Sequence, residues 1–464
     1  MNGGSMTTFS RISMAAVAAL IVGMGPASAA DLGGNCCADL EERVAELEAT
    51  TARKGNRKVS LTISGQISQQ LMFWDDGVQS DMYVSGPSQS NSRWRMSGSA
   101  KISPEITAGF LYEFEAFSSG STSQTQANGN GPGNGHGAPN NVGDDGGSTA
   151  ANLREAMAWV EHSRLGRVSL GSGSSAANNI ILIDLSGKGM GASNDVRLMN
   201  SGFRIRDGAG NVTARSWGNF FQGGQDWLNE RNEHIQYRTP TIAGFTLGAS
   251  FGEDNYWDVA LRYAGEFNGV RIAAGIGYSV RSEYNATVTE GYSLDDVGAP
   301  VLGYAAGSGG FGCDINCRKE VKQLAGSLSI RHMPTGLFFT GAAGTRDNND
   351  FERLNADTGD IARRSFDSDF YYVSGGIARN FFGIGDTVLF GEYSEWKDVG
   401  KEYTNTGGDS SLEHWGIGIV QHVDAAAMEF WLTYKNYSLS GDFCNGVGGC
   451  RDLDYVLAGT RIRF

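Results

Sequence analysis

Apolar and polar residues alternate most regularly at the two ends of the chain. From Val59 to Trp74, one side carries Val59, Leu61, Ile63, Gly65, Ile67, Gln69, Leu71 and Phe73, and the other Ser60, Thr62, Ser64, Gln66, Ser68 and Gln70. A period of two marks a strand whose faces meet different surroundings. These 16 residues would span about 50 Å at roughly 3.3 Å each, whereas soluble strands average about five or six residues. The pattern therefore predicts an unusually tall wall. The chain ends the same way. Val456, Ala458, Thr460, Ile462 and Phe464 share one face, and Tyr455, Leu457, Arg461 and Arg463 the other. An apolar face backed by charge suits a bilayer wall around water.

Between these ends the alternation recurs with uneven clarity. Val270, Ile272, Ala274, Ile276 and Tyr278 alternate with Arg271, Ala273, Gly275 and Ser279; Met428, Phe430, Leu432 and Tyr434 alternate with Glu429, Trp431, Thr433 and Lys435. Segments 337–345 and 386–395 show no clear parity. Short turn-like connections stand at Ser103-Pro104-Glu105, Ser163 to Gly166, Pro240 to Gly244, Gly265 to Gly269, Pro334-Thr335-Gly336, Phe381 to Gly385 and Val423-Asp424-Ala425. Long ones run near 75–92, 118–152, 172–230, 281–320, 346–367, 396–410 and 438–452, with a brief one near 252–256. Eight loops on one side and seven turns on the other require sixteen strands, with both ends on the turn side. The expectation is an all-β, transmembrane antiparallel barrel of about 16 strands over 58–464. No internal run of about 18 apolar residues offers a spanning helix, as a barrel allows, since only every second residue meets lipid.

Ahead of the first strand the pattern changes. Residues 14–25, MAAVAALIVGMG, form a short apolar run after Arg11 and before Ala27-Ser28-Ala29-Ala30. This predicts a cleaved secretory signal over 1–30. From Cys37 to Thr51, Leu40, Val44 and Leu47 repeat at helical spacing among charges, predicting a short amphipathic or coiled-coil helix within 31–57. Two heptads are too short to stand alone, so it belongs either to a bundle in an oligomer or to the barrel itself.

Composition narrows the chemistry. Glycine is abundant at 67 residues, proline scarce at 8, and the net charge is −14. An acidic chain without basic runs is a poor nucleic-acid binder. His136, His162, His234, His332, His414 and His422 scatter along the chain, so no catalytic constellation is expected, and His332 and His422 fall at strand ends, an interfacial position. Export to an oxidising compartment favours disulfides. Cys313 with Cys317 and Cys444 with Cys450 are predicted as local staples in loops, while adjacent Cys36 and Cys37 remain open between free thiols and intermolecular pairing. No metal or cofactor site is expected.

Several segments resemble the general porins of alphaproteobacteria. They are Cys36-Cys37-Ala38-Asp39-Leu40-Glu41-Glu42-Arg43, Lys58-Val59-Ser60-Leu61-Thr62-Ile63-Ser64-Gly65 running on to Phe73-Trp74-Asp75-Asp76-Gly77, Leu165-Gly166-Arg167-Val168-Ser169-Leu170-Gly171, and residues 180–187, IILIDLSG. The resemblance implies a homotrimer in the outer membrane, passing small hydrophilic solutes and ions without cofactor or energy source. It further implies that the third extracellular loop, Ser172 to Glu230, folds inward as a constriction carrying Asp184 and Asp195. Strand parity points Arg93, Arg95, Lys101, Arg262, Arg271, Arg331, Lys435, Arg461 and Arg463 at the lumen. Opposed rows of acid and base would set a transverse field across the opening. Alternatively these bases pair with Glu113, Glu115 and Glu429 and stiffen the wall. Terminal Phe464 resembles the signal read by the outer-membrane assembly machinery. Two other functions stay in view: a substrate-specific channel, for sugars for example, with inward Trp74, Trp431 and Tyr455 as a sliding track, and an adhesin using the long loops.

Overall fold

In the computed structural model, residues Val59 to Phe464 are described except 116–119, 122–123, 128, 130–151, 194–201, 222–226, 229–230, 254, 286–292, 295–299, 302–316, 355–360 and 400–408. The expected signal, the 31–57 helix, Cys36, Cys37, Asp195 and Cys313, and with it the Cys313–Cys317 staple, lie outside the described residues.

The strands are β1 (Thr62–Asp75), β2 (Ser80–Ser85), β3 (Arg93–Lys101), β4 (Ile106–Glu115), β5 (Asn152–His162), β6 (Gly166–Ser174), β7 (Arg204–Arg206), β8 (Val212–Ser216), β9 (Arg231–Arg238), β10 (Phe245–Gly252) and β11 (Trp257–Phe267). They continue as β12 (Val270–Asn285), β13 (Ser293–Leu294), β14 (Pro300–Val301), β15 (Cys317–His332), β16 (Leu337–Leu354), β17 (Ile361–Arg379), β18 (Thr387–Lys397), β19 (Ser410–Val423), β20 (Met428–Gly441) and β21 (Leu453–Arg463). The pairs β7–β8 and β13–β14 form separate two-stranded hairpins, and the other 17 strands make one sheet. Leaving out β2, sixteen of these form a wall in which each strand pairs antiparallel with the next, and β21 pairs back onto β1 to close it. Closure leaves no free edge, the condition for crossing a bilayer with strands.

The alternation read from the sequence sorts as expected. Along β1, Ser68, Gln70, Met72 and Trp74 are buried toward the inside, whereas Ile63, Ile67 and Leu71 are exposed on the outside. The same outer face carries Leu170, Ile235, Leu247, Phe251, Leu261, Ile276, Phe339, Leu389 and Ile417. A soluble monomer rarely exposes an apolar patch beyond a few hundred Å²; here the patch runs from strand to strand, and lipid is the medium that covers it.

Three differences from the sequence reading have physical causes. The stretch 75–92, expected as one loop, contains β2, which pairs with Gln70–Asp75 of β1 on the same edge that β3 occupies lower down. Residues 86–92 leave the wall between them. Six residues of alternation were too short a signal to separate from a loop. Segments 337–345 and 386–395 lacked parity because both of their faces are apolar: Leu337, Phe339 and Leu389 face out, while Phe338, Ala342, Val388 and Phe390 are buried inside. Finally, His422 does not sit at the interface. Its Nε2 lies 2.9 Å from Gly187 O, on a loop inside the barrel.

Candidate functional site

The inward apolar side chains exist because residues 175–193, 202–221 and 227–228 lie against the inner wall. Their first limb starts at β10 and β11. The Ala176 amide donates to Ser250 Oγ (2.8 Å) and the Ala177 amide to Asp258 Oδ2 (2.8 Å), while Arg262 Nη2 donates to the carbonyls of Ala176 (3.1 Å) and Asn178 (2.5 Å). Arg262 therefore anchors loop backbone. Next, Ile180 and Ile183 reach the wall at Gly275, where an added Cβ would fall 2.7 and 2.8 Å from their Cδ1 atoms. Only glycine lets the loop approach this closely, and Gly191 plays the reverse part, meeting Val420 and Phe390 of the wall. Between these points the Leu185 amide donates to Ser329 Oγ (2.9 Å) and Thr340 Oγ1 to Asp184 Oδ1 (2.9 Å).

Asp184 is therefore held on the wall. Its carboxylate pairs with Lys188 Nζ at 2.9 Å and accepts from Ser186 Oγ at 2.8 and 2.9 Å. Burial alone would raise this carboxyl, but the Lys188 ammonium and the hydrogen bonds from Lys188, Ser186 and Thr340 prevail and keep it below its ordinary range. A depressed carboxyl stabilises above its unfolded value of about 3.9 and loses that contribution as pH falls through the folded value. Loop docking, read as open-channel current noise, should thus be constant from about pH 7 to pH 4 and deteriorate only below. Asp184→Asn should raise the noise already at neutral pH, because it leaves Lys188, 1% exposed, without its counter-charge. Noise that climbs between about pH 7 and pH 5 would refute this assignment.

The return limb is more apolar. Phe203 meets Trp74 edge-on at 5.2 Å and Tyr455 at 5.5 Å; Phe221 meets Trp396 at 6.0 Å and Tyr437 at 5.5 Å; Trp227 meets Phe370 at 4.7 Å. The hairpin β7–β8 is tied down by Arg206 Nε, 2.7 Å from Asp76 Oδ2. Inward aromatics Trp74, Trp431 and Tyr455 are 3%, 2% and 1% exposed. Phe203 of the loop packs on Trp74 and Tyr455, and Trp431 lies against Gly459 of the neighbouring strand.

The bases read as inward fall into three groups. Lys435 is buried, its ammonium ion-paired with Glu392, which also accepts from Tyr372 Oη at 2.7 Å. Arg331 pairs with Asp386 (2.6 Å) and Arg271 with Glu266 (2.7 Å), while exposed Lys101 ends β3 at the turn side. Arg93, Arg95, Arg461 and Arg463 come together on β3 and β21, either side of β1. Arg93 and Arg95 pair with Glu113, and Arg461 (2.6 Å) and Arg463 (3.3 Å) with Glu429.

Residues 86–92, within the loop that the sequence pattern predicts at 75–92, complete this cluster. Ser90 Oγ accepts from Arg93 Nη2 (2.9 Å), Arg461 Nη1 (2.9 Å) and Gln66 Nε2 (2.8 Å), and Gln89 Nε2 donates to Gly189 O of the inner loop. Arg154 was missed too. It leaves the alternation at a register shift in β5 and joins Glu113 (2.9 Å) and Glu115. A bulge reverses parity, so no periodicity reading could have found it. Outside the barrel chemistry, Cys444 and Cys450 form a disulfide in the last loop. Phe464 continues the wall, exchanging backbone hydrogen bonds with Gly65 (2.8 and 3.0 Å).

A family profile described as Gram-negative porin matches residues 15–443. No curated protein matches the sequence at a significant level. Among solved structures the chain is similar to an anion-selective porin from Comamonas acidovorans, at 14% identity and TM-score 0.51 over 88% of this chain and 100% of that one. It is also similar to the outer membrane channel DcaP of Acinetobacter baumannii (9% identity, TM-score 0.51, 89% and 100% covered). A third is the trimer form of OmpT from Vibrio cholerae (12% identity, TM-score 0.50, 88% and 99% covered). At these identities the likeness speaks to fold.

Proposed function

Since the chain belongs to the Gram-negative porin family, and is thereby an outer-membrane channel for passive diffusion, we propose that its inner loop sets the size of the opening and that three chains assemble. The loop follows β6 and carries Asp184, while Arg93, Arg95, Arg461 and Arg463 stand on β3 and β21. Small hydrophilic solutes and ions pass between them. The remaining features form part of the same proposal. Residues 1–30 are a cleaved export signal, 31–57 a helix suited to a periplasmic bundle, and Phe464 the mark read by the assembly machinery. The alphaproteobacterial branch of the family is proposed on residues 36–43 and 58–77.

One observation carries the reading. The described parts of the long loop run along the inner face with Phe203, Phe221 and Trp227 packed on it, while charged groups on β3 and β21 stay in contact with water: Arg95 and Arg463 side chains are 45% and 49% exposed. A sugar-specific channel is less well supported, because the inward aromatics that would form a sliding track, Trp74, Trp431 and Tyr455, are buried.

Single-channel recording of the refolded mature protein in a planar bilayer tests it. Current steps arriving in threes and unaffected by sugars are expected. Small steps blocked by one sugar would favour the specific channel, and absence of conductance would remove the channel reading.

A further inference from the structure

Building on the channel reading, we infer that the opening prefers anions although the whole chain is acidic. The charges on this wall are layered. The Glu113 and Glu429 side chains are each 2% exposed and are covered by the arginines that they hold. Arg95 and Arg463, at 45% and 49%, stand on the water side of those carboxylates. A solute in the lumen meets guanidinium first.

The balance of charge agrees. Around Glu113 and Glu115 gather Arg93, Arg95 and Arg154; around Glu429 gather Arg461, Arg463 and His422. Counting His422 as neutral, five guanidiniums face three carboxylates in these two groups. On the neighbouring wall Arg238 lies directly across the ladder from Arg167. Arg167 pairs with Glu161, and exposed Arg238 has no ion-pair partner among the described residues. On the loop, Asp184 is answered by Lys188.

Convergence at Ser90 strengthens the point. Two guanidiniums and an amide donate to its single hydroxyl oxygen, which has only two acceptor lone pairs. This is a place rich in donors and short of negative charge. Fixed charge at a narrow opening biases ion choice, whereas charges farther than about 10 Å are largely screened at 0.1 M salt. The net charge of −14 therefore does not govern the opening. The favoured solutes are small anions such as chloride, phosphate and carboxylates.

The test is the reversal potential of the reconstituted channel in a potassium chloride gradient. A reversal potential on the chloride side is expected. Arg95→Gln with Arg463→Gln should move it toward potassium, and Arg95→Lys with Arg463→Lys, which keeps the charge, should leave it in place. Conductance with reversal at zero or on the potassium side overturns the inference and leaves the channel standing. An anion preference that the glutamine variant does not reduce overturns the assignment to these arginines. No conductance overturns the channel and the inference together.

Discussion

Trp227→Ala is expected to release the inner loop and to raise both the size and the noise of single-channel currents. Trp227 is fully buried. Its ring meets Phe370 at 4.7 Å and Trp396 at 5.8 Å, those two stack on each other at 4.6 Å, and the Arg346 guanidinium lies 4.2 Å above it. Truncating a buried tryptophan costs about 3–5 kcal/mol, and each lost aromatic pair accounts for roughly 0.5–1.5 kcal/mol beyond area. The wall keeps its own hydrogen-bond ladder, so the loss falls on loop docking. Larger neutral solutes should then enter liposomes carrying the variant. Val212→Ala, at an exposed position on β8, serves as the comparison and should change nothing. If conductance, noise and solute entry in Trp227→Ala match the parent, the loop is held by something else.

Glu113→Gln is expected to be the most damaging single change in the wall. Glu113 accepts from Arg93 Nη1 (3.2 Å), Arg95 Nε (2.9 Å) and Arg154 Nε (2.9 Å) and is 1% exposed. The amide has the same shape but no charge, and its NH₂ would confront guanidinium donors. Breaking a buried ion pair by removing one partner costs about 3–5 kcal/mol. The midpoint of urea unfolding in detergent should fall clearly, and the reversal potential should move further to the chloride side. Glu105→Gln provides the contrast, since its pair with Arg164 is 46% and 79% exposed and such surface pairs contribute about 0–1 kcal/mol. Equal urea midpoints for Glu113→Gln and the parent protein would defeat the claim.

Residues differ in how far their roles could be read from the chain. Arg93 and Arg95 were legible because Trp94 between them faces out and alternation is local. Lys435 obeys the same parity, yet it is buried against Glu392, since parity gives the side of the sheet and says nothing about what covers that side. Trp74, Trp431 and Tyr455 carried the same ambiguity. Read as inward aromatics they suit a track; with Phe203 brought onto Trp74 and Tyr455 those two are packing. The one available hint was the density of large apolar residues in a segment expected to be loop.

The sequence by itself determined the barrel, its strand number and its lipid-facing surface outside 337–345 and 386–395, because these follow from a two-residue period and from turn residues that act over a few positions. Tertiary structure alone decided which inward groups meet water. That depends on contacts between positions far apart in the chain, such as Thr340 with Asp184, Arg461 with Ser90 and Trp227 with Phe370. Each of these forms only when the closed wall holds its strands in register and the loop lies across them.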